Sequence, residues 1–288
     1  MQYTKLVFMT EKKSLIVITW DGVSKPLEYI LQDTQRNFDL LIFDHSAKAS
    51  KELVAHLKPE HFVSTRTENK GQVFHETYKY LYPNNEKRYE YIGVIDDDIY
   101  SSYSDLNKLI FIGQINHLDV FQPSITQDSY HDHQRYIHKP GIQIHETNWV
   151  EIMCPFYKEE IFKAIQPYCK LTVSGQGIDI YLIPCLQKIL GLEKTAVVHA
   201  IQIKHCRPVQ SGNKIYSNGK NNLEEIESVR QASLQLVAET KPGVFDEDFI
   251  KTTLEINHFT RNNIQVKWNR FKTLIKNLHL DLIKSSYR

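Results

Sequence analysis

The amino-acid sequence predicts an α/β protein built on a mainly parallel central sheet, followed by a helical C-terminal extension. Short β-rich runs alternate with helical patterns through the first two thirds of the chain, and several of those runs are apolar without interruption. Alternation of this kind belongs to sheets whose strands are joined by helices, and unbroken apolar runs belong to strands covered on both faces. Composition is the third observation. With 288 residues, 41% hydrophobic and 24% charged, the chain fits one large domain or a domain with an appendage, and its make-up is that of a soluble protein. The longest unbroken apolar runs, such as Leu15–Ile18 and Leu40–Phe43, have four residues, against the ~20 of a membrane span. Residues 1–9 hold no secretory core, and the cysteines at 154, 169, 185 and 206 lack CxxC spacing. Reduced thiols in a cytoplasm are therefore expected.

In chain order, Ser14–Trp20 is the first predicted strand, and Leu27–Arg36 a helix after the turn at Asp21-Gly22. Phe38–Phe43 and His61–Thr65 are the next strands, Glu68–Leu81 a helix, Pro83-Asn84-Asn85 a turn and Tyr89–Ile95 the fourth strand. Ser124–His145 is polar, carries histidines 131, 133, 138 and 145, and reads as loops and short strands. Trp149–Cys154 reads as a strand, Tyr157–Gln166 and Ile178–Leu190 as helices, and Thr195–Ile203 as a strand. The turn-forming stretch Ser211–Asn222 divides a domain over 1–210 from an extension over 211–288, with helices about Leu223–Glu239 and Ile264–Lys284.

Formal net charge is +1, which predicts no polyanionic partner such as nucleic acid. The charge is skewed, however. Residues 261–288 carry seven Lys or Arg against Asp281 alone. Ile264, Trp268, Phe271, Ile275, Leu278 and Leu282 recur there at helical spacing, so the tail predicts either a packing helix or one lying on an anionic membrane surface.

The sharpest local feature is Asp96-Asp97-Asp98, directly after the apolar run Tyr91–Ile95. Ligands of open α/β sheets collect at the carboxyl ends of strands. Adjacent carboxylates repel unless a cation compensates them, and in an extended segment Asp96 and Asp98 share a side, which suits an oxygen-liganded divalent ion. The competing role is capping of a helix near Asp105. No GxGxxG follows the first strand, no P-loop is present, and Ser174 lies outside a GxSxG elbow. Cys154 reads as a core thiol, and His131 with His133 lacks a third ligand motif.

Read together, Tyr91–Ile99 (YIGVIDDDI), Trp149–Pro155 (WVEIMCP), Gly177-Ile178-Asp179 and Val197–Pro208 (VVHAIQIKHCRP) resemble glycosyltransferases of the GT-A fold. With Phe43-Asp44-His45-Ser46 and Lys70, the chain resembles in detail a domain-of-unknown-function family labelled lysine ketoglutarate reductase trans-splicing related in plants. The likeness runs in order over about residues 14–208. It implies a GT-A-like, Rossmann-type domain and transfer of a sugar from a nucleotide-sugar donor to a glycan or lipid-linked acceptor. An enzyme of bacterial surface polysaccharide synthesis would suit such a chain, cytoplasmic or peripheral on the inner face of the membrane.

By position, the resemblance makes Asp98 a direct ligand of manganese or magnesium, with Asp96 on the metal or the ribose, Asp97 sharing either role and His205 completing the shell. It places Asp44 and Thr19, with Asp21, at the nucleoside, and Lys70 at the diphosphate. Asp179 is the first choice of base for the acceptor hydroxyl, and Glu151, beside Trp149, the second. The chain departs from the family in having His199 where an acid is more usual, and in lacking a tryptophan before Gly177. Two other classes use the same acidic residues or none: a nucleotidyltransferase or phosphate-ester hydrolase, and a non-catalytic binding protein.

Overall fold

The computed structural model describes residues 13–86, 88–208 and 214–255. Of these, the residues up to Val244 belong to one compact unit, and residues 245–255 to a second.

The first unit is built around a sheet that begins with β1 (Leu15–Trp20), flanked in parallel by β3 (Asp39–Asp44) and β5 (Tyr91–Ile95), with β4 (His61–Ser64) beyond β3. All residues of β1 and β5 are buried, as their unbroken apolar character requires. On the other side of β5 lies β9 (Phe156–Lys158), a short antiparallel strand that joins it to β7 (Val120–Ile125). Beyond β7 the long β10 (Thr195–His205) runs parallel to it and carries β8 (Ile144–Glu146) and β6 (Ile99–Ser102) antiparallel. A two-residue β2 (Ile30–Leu31) closes the edge on β6.

A four-residue turn of helix, α1 (Lys51–Val54), follows β3. Helices α2 (Lys70–Leu81), α3 (Tyr103–Ile115), α4 (Glu159–Ile165), α5 (Ile183–Leu190) and α6 (Asn222–Glu239) complete the unit. One buried cluster runs from Leu15, Val17, Val94 and Phe74 to Tyr157, Phe162, Ile178 and Val229. That last member shows that α6, expected in a separate extension, belongs to the first unit. Its start is fixed by a capping box between Asn221 and Glu224.

Three local expectations need correction. Leu27–Arg36 is not a helix: Leu27 adopts φ of 56°, outside the helical region, and only β2 forms there. Trp149–Cys154 is not a strand. Its residues are mostly buried against the core, and the Glu151 N–H donates to the Gln122 side chain at 2.6 Å instead of a neighbouring strand. The regular strand follows at β9. The helix read from Tyr157 begins at Glu159, because Phe156–Lys158 is drawn into the sheet.

The second unit is described over 245–255. Asp246 caps α7 (Glu247–Phe249), accepting from the Phe249 N–H at 2.7 Å, and a widened turn continues over Ile250–Glu255. The predicted tail helix Ile264–Lys284 lies outside the described residues. Among those described, no helix is long and apolar enough to cross a membrane, and the four cysteines are free thiols.

Candidate active site

The parallel register places the carboxyl ends of β1, β3 and β5 side by side, with Trp20 opposite Asp44 and Ile18 opposite Ile95. The acidic run leaves β5 at this edge as a turn closed by the Ile99 N–H on the Asp96 carbonyl at 3.2 Å. The segment is therefore a turn and not the extended stretch expected, and Asp96 and Asp98 remain within electrostatic reach of each other. Each acid meets its own cation. Lys70, buried at the N-terminus of α2, donates to Asp96 Oδ1. The Arg207 guanidinium reaches Asp97 Oδ2 at 3.2 Å, and His205 Nε2 lies 3.3 Å from Asp98 Oδ2. The acids are not helix caps: Ser102 caps α3, accepting from the Asp105 N–H at 3.0 Å.

His205 reaches Asp98 because β10 pairs antiparallel with β6, opposing His205 to Ile99, and the Cys206 N–H extends the ladder to the Asp98 carbonyl at 2.9 Å. Burial alone pushes the Asp98 carboxyl up, but its hydrogen bond to His205 and the imidazole's charge outweigh this and hold it below the usual carboxylate range. Burial likewise opposes charge on His205, and Asp98 reverses the balance to raise it above an ordinary histidine. At Asp96 desolvation wins over Lys70, and its pKa is raised.

These residues fit a divalent cation in a particular way. His205 Nδ1 lies 2.8 Å from the Tyr130 carbonyl, an acceptor only, so Nδ1 carries the proton and Nε2 is left with the lone pair when the ring is neutral. Asp98 Oδ1 is buried without a hydrogen-bond partner. Among the described residues no three of His, Cys, Asp or Glu converge on one point. Asp98 and His205 are thus the side chains that could hold such an ion, and Asp96, the third expected ligand, is engaged by Lys70 through Oδ1. Magnesium-type sites often take only one or two carboxylates and fill the rest with substrate phosphates and water.

Thr19 is buried, and its hydroxyl accepts the Asp97 N–H at 3.0 Å, tying the end of β1 to the acidic turn. Asp44 is fully buried and accepts from Ser46 N and Oγ, Lys48 N, Ala49 N and Ser64 Oγ, all within 2.9 Å. Burial raises its pKa, but these donors prevail and hold it low. Its oxygens organise their own loop. Asp21 does the same after β1, accepting from Val23 N and from Ser24 N and Oγ. Along that loop runs a shallow groove lined by Trp20, Lys25, Glu28 and Tyr29 together with Asp96 and Asp97. Arg207 also lies over the Tyr29 ring, 5.9 Å from its centre. Sequence reasoning missed Arg207 as a site residue; the only signal was its place in the motif that carries His205.

A second acidic group lies apart from the turn. Asp179 sits in the widened first turn ahead of α5, over Ile178–Leu182. Burial pushes its carboxyl up to about 7, moderated by the N–H groups of Ile180, Asp179, Ile152 and Gly177. Burial, then the charges of Asp179 and Asp132, push Glu151 up to about 8, and its Oε2 is buried without a partner. The two residues chosen for proton transfer are therefore brought within electrostatic reach of each other. Trp149 is buried beneath them rather than open to a sugar ring, with Arg135 over its face at 5.3 Å.

The remaining sequence candidates settle elsewhere. Cys154 is buried, and desolvation pushes its thiol up to about 12. His133 packs edge-on against Trp149, and His131 bonds the Ser129 carbonyl at 2.9 Å. His199 is buried between the rings of His138 and His145, and burial lowers it to about 4.

Comparison of the whole arrangement with solved structures is decisive for the fold. The first 349 residues of TarS from S. aureus, in complex with UDP-GlcNAc, superpose with a TM-score of 0.55 over 84% of this chain and 70% of that one, at 12% identity. GalNAc-T7 with UDP, GalNAc and Mn2+ gives 0.53 over 78% of this chain, at 11% identity. The chain has the GT-A fold. It covers 41% of the longer TarS structure and 48% of GalNAc-T7. No protein-family model and no curated protein matches it by sequence, so the plant-family label rests on the motifs alone. Within the GT-A fold, the acidic turn and the groove along the β1 loop occupy the carboxyl edge of the sheet, where such folds collect ligands.

Proposed function

We propose that the protein is a metal-dependent glycosyltransferase that moves a sugar from a nucleotide-sugar donor to an acceptor hydroxyl. The observation that carries this reading is the Asp98–His205 pair. One carboxylate oxygen lacks a partner, the neutral imidazole keeps its proton on Nδ1 and leaves Nε2 for a metal, and both stand at the edge of a GT-A sheet beside the shallow groove lined by Trp20 and Tyr29. A manganese or magnesium ion held there would neutralise charge on the leaving nucleoside diphosphate. Lys70 and Arg207, which already balance Asp96 and Asp97, supply further positive charge at the phosphates. Trp20 and Tyr29 wall the nucleoside groove, and Thr19 and Asp44 act by shaping its loops. Asp179 takes the proton from the acceptor hydroxyl, and Glu151, the harder of the two to ionise, is the second candidate for that role.

The acceptor proposed is a glycan or lipid-linked sugar of a bacterial surface polysaccharide. Residues 261–288 would bring the enzyme to the inner face of the membrane, which salt-reversible co-sedimentation with anionic liposomes checks. The central experiment is a thermal-shift panel of nucleoside diphosphates with and without manganese, paired with product analysis on nucleotide-sugars. Metal-dependent stabilisation and release of intact nucleoside diphosphate are expected. Release of nucleoside monophosphate would point instead to a hydrolase, formation of nucleoside triphosphate on adding pyrophosphate to a nucleotidyltransferase, and a flat panel to a binding protein of another kind.

A further inference from the structure

We infer that Glu225, on α6, is a positioning residue for Asp179, acting through the loop over residues 172–177. This rests on the role proposed for Asp179 as base. The Glu225 carboxylate is fully buried and accepts from Val173 N at 2.7 Å, Ser174 N at 2.9 Å, Thr172 Oγ1 at 3.2 Å, Asn218 Nδ2 at 2.7 Å and the Ser174 hydroxyl. Among the described residues it has no ion pair with Lys, Arg or His. A buried carboxylate held by neutral donors is expensive to desolvate and is retained here by geometry.

The carboxylate also fixes which way the loop's hydroxyls point. Each hydroxyl has one proton to donate. Thr172 and Ser174 give theirs to Glu225, and so accept the N–H groups of Gly175 at 2.9 Å and Gln176 at 3.1 Å. The loop then ends at Gly177, in the left-handed region with φ of 87°, and the Gly177 N–H is one of the groups that lowers the Asp179 pKa. The same α6 closes on that glycine: a side-chain carbon at 177 would lie 3.1 Å from Val229 Cβ and 3.3 Å from Ile226 Cα. From the opposite side the Gly71 N–H holds the Val173 carbonyl at 3.0 Å, next to Lys70 and hence Asp96. Loop 172–177 is thus held between the N-terminus of α2 and α6, with Asp179 at its exit.

The test is Glu225→Gln in the full chain, which keeps the shape but presents an amide N–H2 to groups that are already donors. A fall in kcat of about tenfold or more is expected, with the donor KM within about twofold, because the loss lies in placing the base. With a weaker hold on its charged form, Asp179 titrates at higher pH, followed through its carboxyl carbon by NMR. Glu159→Gln is the control. Glu159 is an equally buried carboxylate that accepts from Tyr82 Oη, Arg88 N and Tyr89 N, away from Asp179; it should lower the melting temperature and leave kcat and the Asp179 titration alone. If Glu225→Gln does not fold, Thr172→Ala and Ser174→Ala remove single links of the same clamp. A Glu225→Gln protein that loses stability but keeps the wild-type kcat and Asp179 titration overturns the inference. Should wild-type protein transfer no sugar, the enzymatic reading fails while the Asp179 titration still decides the clamp.

Discussion

The acidic turn after β5 and the pair Glu151–Asp179 are both groups of carboxylates drawn out of water, yet they differ in what stands beside them. In the turn, every acid has a cation within reach: Lys70, Arg207 or His205. Glu151 and Asp179 are governed by burial instead, with only a weak influence of His205 on Glu151, and both are pushed into the neutral range. Compensated charge is suited to receiving another charged group by exchange of partners. Uncompensated carboxylates are suited to holding and giving up a proton near neutral pH. On the function proposed above, the contrast assigns donor binding to the turn and proton transfer to Glu151 and Asp179.

Substitutions that hit one cluster should therefore leave the other function standing. The largest effect is expected from Asp179→Asn, with kcat down by about 10²–10⁴-fold, since a positioned base contributes that much, and with donor affinity retained. In wild type, the rate should rise with pH through about 7 as Asp179 loses its proton. Next comes the turn. Asp98→Ala and His205→Ala should each abolish manganese-dependent nucleotide binding in titration calorimetry, while the Asp179 titration stays in place. Normal metal-dependent affinity in both variants would remove the metal from the mechanism and erase the contrast.

The smallest effect is on stability, and it has the opposite sign. A carboxyl whose folded-state pKa is raised favours the folded protein most at low pH, below its unfolded value, and that contribution is lost as pH rises through the folded value. For Asp179 the loss falls between about pH 4 and pH 7. Asp179→Asn should then melt roughly 2–8 °C above wild type at pH 8 in the metal-free protein, and near wild type at pH 4. Equal melting at pH 8 would mean that Asp179 is not strained by burial, and the two clusters would differ less than their surroundings suggest.

Much of the sheet was legible because its signals are local. Ser14–Trp20, Phe38–Phe43 and His61–Thr65 read as strands and formed them within a residue or so at each end, and Glu68–Leu81 read as α2. The misreadings fell where tertiary packing outweighs local pattern. Trp149–Cys154 has the composition of a strand but is buried as an irregular segment against Gln122 and the core. The candidate residues divide in the same manner. The acidic turn stood out because three like charges after an apolar run are locally costly. Arg207 did not stand out, since its partner Asp97 is 110 positions away.

By itself, the sequence determined the alternation of strands and helices, the acidic run at the end of β5 and the residue types available for chemistry, all of which depend on neighbours a few positions apart. Only the tertiary structure decided how those residues are used. The antiparallel register of β6 and β10 brings His205 to Asp98, and the turn at residues 96–98 sends three adjacent acids to three different cations. Depth of burial, which no local pattern encodes, separates Asp44, saturated by five donors, from Asp179, left to titrate near 7. The physical reason is that a carboxylate's chemistry is set by the water and the donors around it, and those are supplied by segments distant in the chain.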